Sequence, residues 1–180
     1  MRRMSYSKRF YENSVSVTMA SAEEIMPLII KYFAPKSVVD VGCGIGSFLK
    51  VAMKMGVQDV LGIDGPWVTE YIKGLPFLPH DLTAPLCVGR KFDVAICLEV
   101  IEHIPYKYPQ VFVRSLPNLE PCKVFSVAIP FQGGTQHVNE RWPTYCEELF
   151  RDHGLYQWDY IRWEIWDNQR IEPRYRQNPV

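Results

Sequence analysis

The sequence predicts an α/β domain: an open, doubly wound and mostly parallel sheet with helices on both faces, closed by an antiparallel C-terminal strand. Three observations carry this. The β-branched run Ser37-Val38-Val39-Asp40-Val41 passes directly into Gly42-Cys43-Gly44-Ile45-Gly46, and an apolar-periodic segment follows. That pattern is a buried strand turning sharply into a helix. Further short apolar runs end in carboxylates, with Asp64 after 59–63, Asp81 after 77–80 and Glu99 after 92–98. Finally, polar groups at successive strand ends are what an open parallel sheet presents to a ligand along its carboxyl edge.

Residues 1–36 read as a helical cap integral to the domain, and 37–180 as its ligand-binding body. Within the cap, 14–33 predicts a helix. Ser21-Ala22-Glu23-Glu24 has the form of a capping signal, apolar residues follow at 25, 28, 29, 32 and 33, and Pro35 ends the run. The first strand is 37–41, and the helix after it spans 48–55, stopped by Gly56. A second strand covers 59–64, and 67–72 has room for a short helical turn before Gly74 and Pro76. The third and fourth strands are 77–82 and 92–99. The stretch 83–90 between them is too short for a crossover helix, which with its strands' connection needs about a dozen residues. A helix at 108–116, a fifth strand at 123–129 and a helix at 143–153 ending at Gly154 complete the alternation. The alternating 158–166 and the segment 175–180 predict a closing antiparallel pair.

Composition narrows the class. A chain of 180 residues, 47% hydrophobic and 22% charged with formal net charge zero, has the makeup of one globular domain with a sizeable core. Zero net charge without a Lys/Arg cluster argues against strong phosphate-backbone binding. The locally basic 170–178, alternating with acids, reads as a solvated strand face. No apolar run approaches the roughly 18 residues needed to cross a membrane. The basic start, Met1 to Arg9, lacks the apolar core of a signal peptide. Cysteines at 43, 87, 97, 122 and 146 contain no C-x-x-C pair, so reduced thiols and a cytoplasmic setting are expected.

The glycine turn places a ligand close to the backbone, because a side chain at Gly42, Gly44 or Gly46 would stand between the two. It is not the dinucleotide fingerprint G-x-G-x-x-G, since Ser47 and Phe48 follow Gly46, and it lacks the lysine of a P-loop. Asp64, about twenty residues on, suits a ribose diol, and Asp81 an adenine amino group. In this order and spacing, Asp40-Val41-Gly42-Cys43-Gly44-Ile45-Gly46, Asp64, Asp81 and Leu98-Glu99-Val100-Ile101-Glu102-His103-Ile104 resemble the motifs of class I, Rossmann-like S-adenosylmethionine-dependent methyltransferases. The likeness runs over about 37–129. It implies a cofactor site of Asp40, Gly42, Cys43, Gly44, Gly46, Asp64, Gly65, Asp81, Leu82, Leu98 and Glu99, with S-adenosylhomocysteine as the product. The glycines would line the methionine part, and Leu98 and Glu99 the region of the reacting methyl.

The acceptor is expected beyond the fourth and fifth strands. The loop from Pro130 to Pro143 joins a flexible Gly133-Gly134 to polar and aromatic residues, which suits a lid, with Phe131, Gln132, Gly133 and Trp142 as substrate contacts. An activated sulfonium leaves alignment to provide much of the rate, and a hydroxyl or amine acceptor gains from a base. His137 and His103 are the candidates. Glu99, Glu102, His103 and His137 also resemble the metal site of small-RNA 3′-terminal 2′-O-methyltransferases and ubiquinone-pathway O-methyltransferases. They are held as candidate ligands for Mg²⁺ or Mn²⁺; because the same motif occurs in metal-free methyltransferases, no metal is adopted. A small polar acceptor is expected, O-methylated ahead of N-methylated, a sugar or other metabolite among the options. The alternatives are 2′-O-methylation of RNA ends and cofactor binding without turnover.

Overall fold

A computed structural model describes residues 8–119 and 123–178. The start of the basic N-terminal stretch, Cys122 and the last two residues of the expected final strand lie outside the described residues. Five strands, β1 (Ser37–Val41), β2 (Asp59–Asp64), β3 (Phe77–Pro79), β4 (Val94–Cys97) and β5 (Lys123–Phe125), form one sheet. Their order is β3-β2-β1-β4-β5, and every pairing is parallel. The order reverses between β1 and β4, where Val38, Val39 and Asp40 face Val94, Ala95 and Ile96.

Side-chain alternation along β1 explains why both faces are covered. Val38 belongs to one apolar layer, and Val39 and Val41 to the other, all with no exposed surface. The first layer is roofed by α1 (Lys8–Phe33), α2 (Ser47–Lys54), α5 (Ile161–Ile165) and α6 (Pro173–Gln177). The second is covered by α3 (Pro109–Ser115) and α4 (Pro143–Arg151). Ile25, Met26 and Ile29 of α1 and Leu49 of α2 are fully buried between helices and sheet; each such side chain contributes about 2 kcal/mol.

The helix at 14–33 extends back to Lys8, and the expected capping signal at Ser21 lies inside it. Ser21 Oγ instead donates to the Val17 carbonyl one turn earlier and accepts from the Glu172 amide. The segment after β2 makes only a 3₁₀ turn, Pro66–Val68. As expected, no helix bridges β3 and β4. β4 sits three strand spacings from β3, about 14 Å, which an extended connection spans.

The predicted antiparallel closing pair is absent among the described residues: the sheet is all parallel, and the two segments contribute the helices α5 and α6 instead. Alternation at 158–166 comes from aromatic residues that point outward, not inward. Trp158, Tyr160, Trp163 and Trp166 are each more than half exposed, while Ile161 and Ile165, one helical turn apart, are buried. Likewise Tyr175 of α6 and Asn178 at its C-cap, three residues apart, are buried. The segment 170–178 is therefore not a strand: it buries Ile171, Tyr175 and Asn178, while Arg170, Pro173 and Gln177 face solvent.

Candidate functional site

At the switch point between β1 and β4 a cavity of about 210 Å³ opens along the carboxyl edge of the sheet. Its floor is the turn after β1, its far wall the turns after β2 and β3, and its near wall the residues after β4. Thr18 of α1 and Arg174 and Tyr175 of α6 close it from above. The loops reach it because all parallel strands end on the same edge.

The three glycines of the first turn do different jobs. Gly42 (φ 82°) hydrogen-bonds its amide to the Ile63 carbonyl at 2.7 Å, and a Cβ there would overlap Val100 Cγ2. Gly46 (φ 74°) caps α2 in a left-handed conformation, and a Cβ there would overlap Leu75 Cδ1. Only Gly44 (φ 49°) has nothing within 4 Å of where its Cβ would stand. Of the three, Gly42 and Gly46 are hemmed in by neighbouring side chains, and open space lies beyond the backbone at Gly44. Gly46 does not line the cavity; the other ten cofactor candidates do.

Asp64 ties the turns together: Gly44 donates to Oδ2 at 2.8 Å and Gly65 to Oδ1 at 2.6 Å. Burial raises its carboxyl to about 6, against the pull of those two amides. Asp40, 4% exposed, is pushed up to about 8 by burial and by Asp64. Asp81 accepts from the amide and hydroxyl of Thr83 and stays at the surface. Trp67 folds its ring against Gly65, where a Cβ would overlap it.

Beyond β4 the backbone turns through Glu99 at φ 57°, a left-handed conformation for a side-chain-bearing residue. Its carboxylate is fully engaged: Oε1 accepts from Ser126 Oγ (2.8 Å) and Asn178 Nδ2 (3.0 Å), and Oε2 from Gln132 Nε2 (3.0 Å). Glu102 is the opposite case. It has no exposed surface, and burial together with Glu99 raises its carboxyl to about 9.

His103 lines the cavity, its Nδ1 3.4 Å from the Gln136 carbonyl. Burial, with His137 nearby, lowers its pKa to about 4, so the ring is neutral at pH 7. His137 sits behind it, edge to face at 5.0 Å between ring centroids. His137 Nδ1 lies 3.0 Å from Glu140 Oε1, and because a carboxylate only accepts, Nδ1 carries the proton of that bond. Glu140 also accepts from the amides of Phe131 and Gly133, which folds the loop over itself. One ligand atom each from Glu102, His103 and His137 lie within 4.8 Å of one another. Glu99, the fourth metal candidate, is outside that group.

None of Phe131, Gln132, Gly133 and Trp142 lines the cavity. Phe131 is 96% exposed and Trp142 57%; Gln132 reaches the site through Glu99 and Asn178. Sequence reasoning missed Thr18, Trp67, Arg174, Tyr175, Glu140 and Asn178. A signal existed for α6: Pro173 at its first position and Arg174 and Asn178 four residues apart, which is helical spacing.

A model of a family described as methyltransferase domain matches residues 18–167. The ubiquinone biosynthesis O-methyltransferase of Stutzerimonas stutzeri is 34% identical over 98 residues, covering 46% of this chain and 42% of that protein. The chain thus matches under half the length of that curated relative. Among solved structures, a SAM-dependent methyltransferase from Archaeoglobus fulgidus superposes with a TM-score of 0.66 at 17% identity, over 82% of this chain and 74% of that one. Magnesium protoporphyrin IX methyltransferase from Synechocystis, solved with bound SAH, gives 0.60 at 18% identity, over 84% and 80%.

Proposed function

This chain belongs to the methyltransferase domain family, and from that premise we propose that it methylates an oxygen of a small polar acceptor held at the His103 end of the cleft. S-adenosylmethionine, the cofactor, supplies a methyl group already activated on a sulfonium. The residues fit it. Gly44 leaves the backbone open to approach, the carboxyls of Asp40, Asp64 and Asp81 offer partners for cationic and hydroxyl groups, and Leu98 and Glu99 adjoin the histidine end.

The observation that carries the proposal is His103, a neutral imidazole on the cavity wall. It offers an acceptor for a hydroxyl proton, and His137, held by Glu140, backs it with a second imidazole. A site where Arg174 is the single Lys or Arg among the described lining residues suits a compact acceptor better than a nucleic-acid backbone. The O-methyltransferase name of the Stutzerimonas relative points to oxygen as well. Calorimetry with S-adenosylhomocysteine, followed by turnover assays on hydroxylated small molecules, tests this. Tight cofactor binding with His103→Ala lowering kcat at least tenfold is expected. Cofactor binding with no turnover of any acceptor would instead make the chain a binding protein.

A second reading has its own support, in the convergence of ligand atoms from Glu102, His103 and His137 within 4.8 Å of one another. These three residues would hold a divalent ion, which would draw two neighbouring acceptor oxygens together. Binding would ionise Glu102 and so release a proton. Mn²⁺ titration should then raise the melting temperature of the protein but not of Glu102→Gln; an equal response of both proteins would remove this reading.

A further inference from the structure

We propose that Arg174 is the anion-recognition residue of the cleft, its guanidinium taking a carboxylate or phosphate oxygen beside Glu99 and His103. The proposal rests on the methyltransferase reading and adds the charge of what the site holds. Four carboxyl side chains line the cavity, those of Asp40, Asp64, Asp81 and Glu99. Among the described lining residues, Arg174 is the single Lys or Arg facing them.

Its placement is fixed in advance. Nη2 donates to Glu172 Oε2 at 2.7 Å, the guanidinium carbon lies 5.3 Å from the centre of the Tyr175 ring, and Tyr175 is buried. One turn on, Asn178 fastens α6 to Glu99 and Gln132. Glu172 satisfies one of five guanidinium N–H groups, and the buried Nε has no hydrogen-bond partner among the described residues. A local pair at two-residue spacing, with both side chains about a quarter to a third exposed, does not by itself account for a buried Nε. A planar fork with unused donors, set in an otherwise acidic cavity, matches an oxyanion. Two sources exist for it. S-adenosylmethionine carries two cationic groups, which the acids suit, and one carboxylate, which they repel. The acceptor is the other source.

The test compares wild-type protein with Arg174→Gln and Arg174→Lys by calorimetry. The ligands are S-adenosylhomocysteine, S-adenosylmethionine and decarboxylated S-adenosylmethionine, and inorganic phosphate or acetate is added to the S-adenosylhomocysteine-loaded protein. If the oxyanion is the cofactor's, Arg174→Gln weakens the two carboxylated ligands by about 10- to 100-fold and leaves the decarboxylated one unchanged. If it is the acceptor's, cofactor affinities stay put, and the anion's stabilisation of the loaded wild type disappears in Arg174→Gln. Arg174→Lys keeps the charge without the fork and should fall between; it carries the test should Arg174→Gln not fold. Equal affinities for every ligand and anion across the folded variants would overturn the proposal. A wild type that binds no S-adenosylhomocysteine would strike at the family reading instead.

Discussion

Glu140 and Asp40 show how much of the site depends on single carboxylates. Glu140 accepts three hydrogen bonds from its own loop, from Phe131, Gly133 and the His137 ring. Glu140→Ala should cost about 2 kcal/mol in urea unfolding and speed hydrogen exchange at the Phe131 and Gly133 amides. Asp40 behaves differently, because the folded chain favours its protonated form. Its pKa rises from 3.8 to about 8, so the unfolded chain binds fewer protons than the folded one between those values. Its contribution to stability therefore falls as pH rises through that window. A cationic ligand reverses the preference. Affinity for S-adenosylmethionine should rise between pH 6 and 8, by at most about one decade per unit for one proton released, and Asp40→Asn should flatten the profile. His103 does not confuse the measurement, being neutral throughout that range.

Among the elements, the glycine turn separates folding from binding. Gly44→Ala places a methyl group into open space at φ 49°, so it should cost about 1–2 kcal/mol for the left-handed backbone and a large share of cofactor affinity. Gly46→Ala carries the same backbone strain plus a collision with Leu75, so it should lose more stability and show its binding defect only through that loss. Melting temperature and calorimetry on the two variants distinguish them. The strands and this turn were legible in the sequence because buried parallel strands are continuous apolar runs ended by polar groups, as at 37–41 and 59–64. α5 and α6 were not. Their buried sets are small, Ile161 with Ile165 in α5 and Tyr175 in α6, too few for a period to stand out against outward-facing tryptophans. The histidine cluster was half legible. His103 and His137 stood out as residue types, but Glu140 became visible only when its loop folded back on itself.

At the scale of the molecule, the distribution of tryptophan offers a readout. Trp142, Trp158, Trp163 and Trp166 are all more than half exposed, while Trp67 is partly buried on the cavity wall. A fluorescence change on adding S-adenosylhomocysteine should therefore come from Trp67 and vanish in Trp67→Phe; a change that survives would mean that the distant tryptophans move. The roof of the cleft comes from opposite parts of the sequence. Ser21 of α1 holds the Glu172 amide at the start of α6, Glu24 meets Asn168 and Arg170, and Asn178 reaches Glu99. Synthesis runs in one direction, so the acids and glycines of the floor leave the ribosome well before α6 does. A nascent chain stalled before Glu172 lacks the Arg174 and Tyr175 side of the cleft. The cleft therefore has all its described walls only once residues 172–178 have docked over the turns that follow β1 and β4.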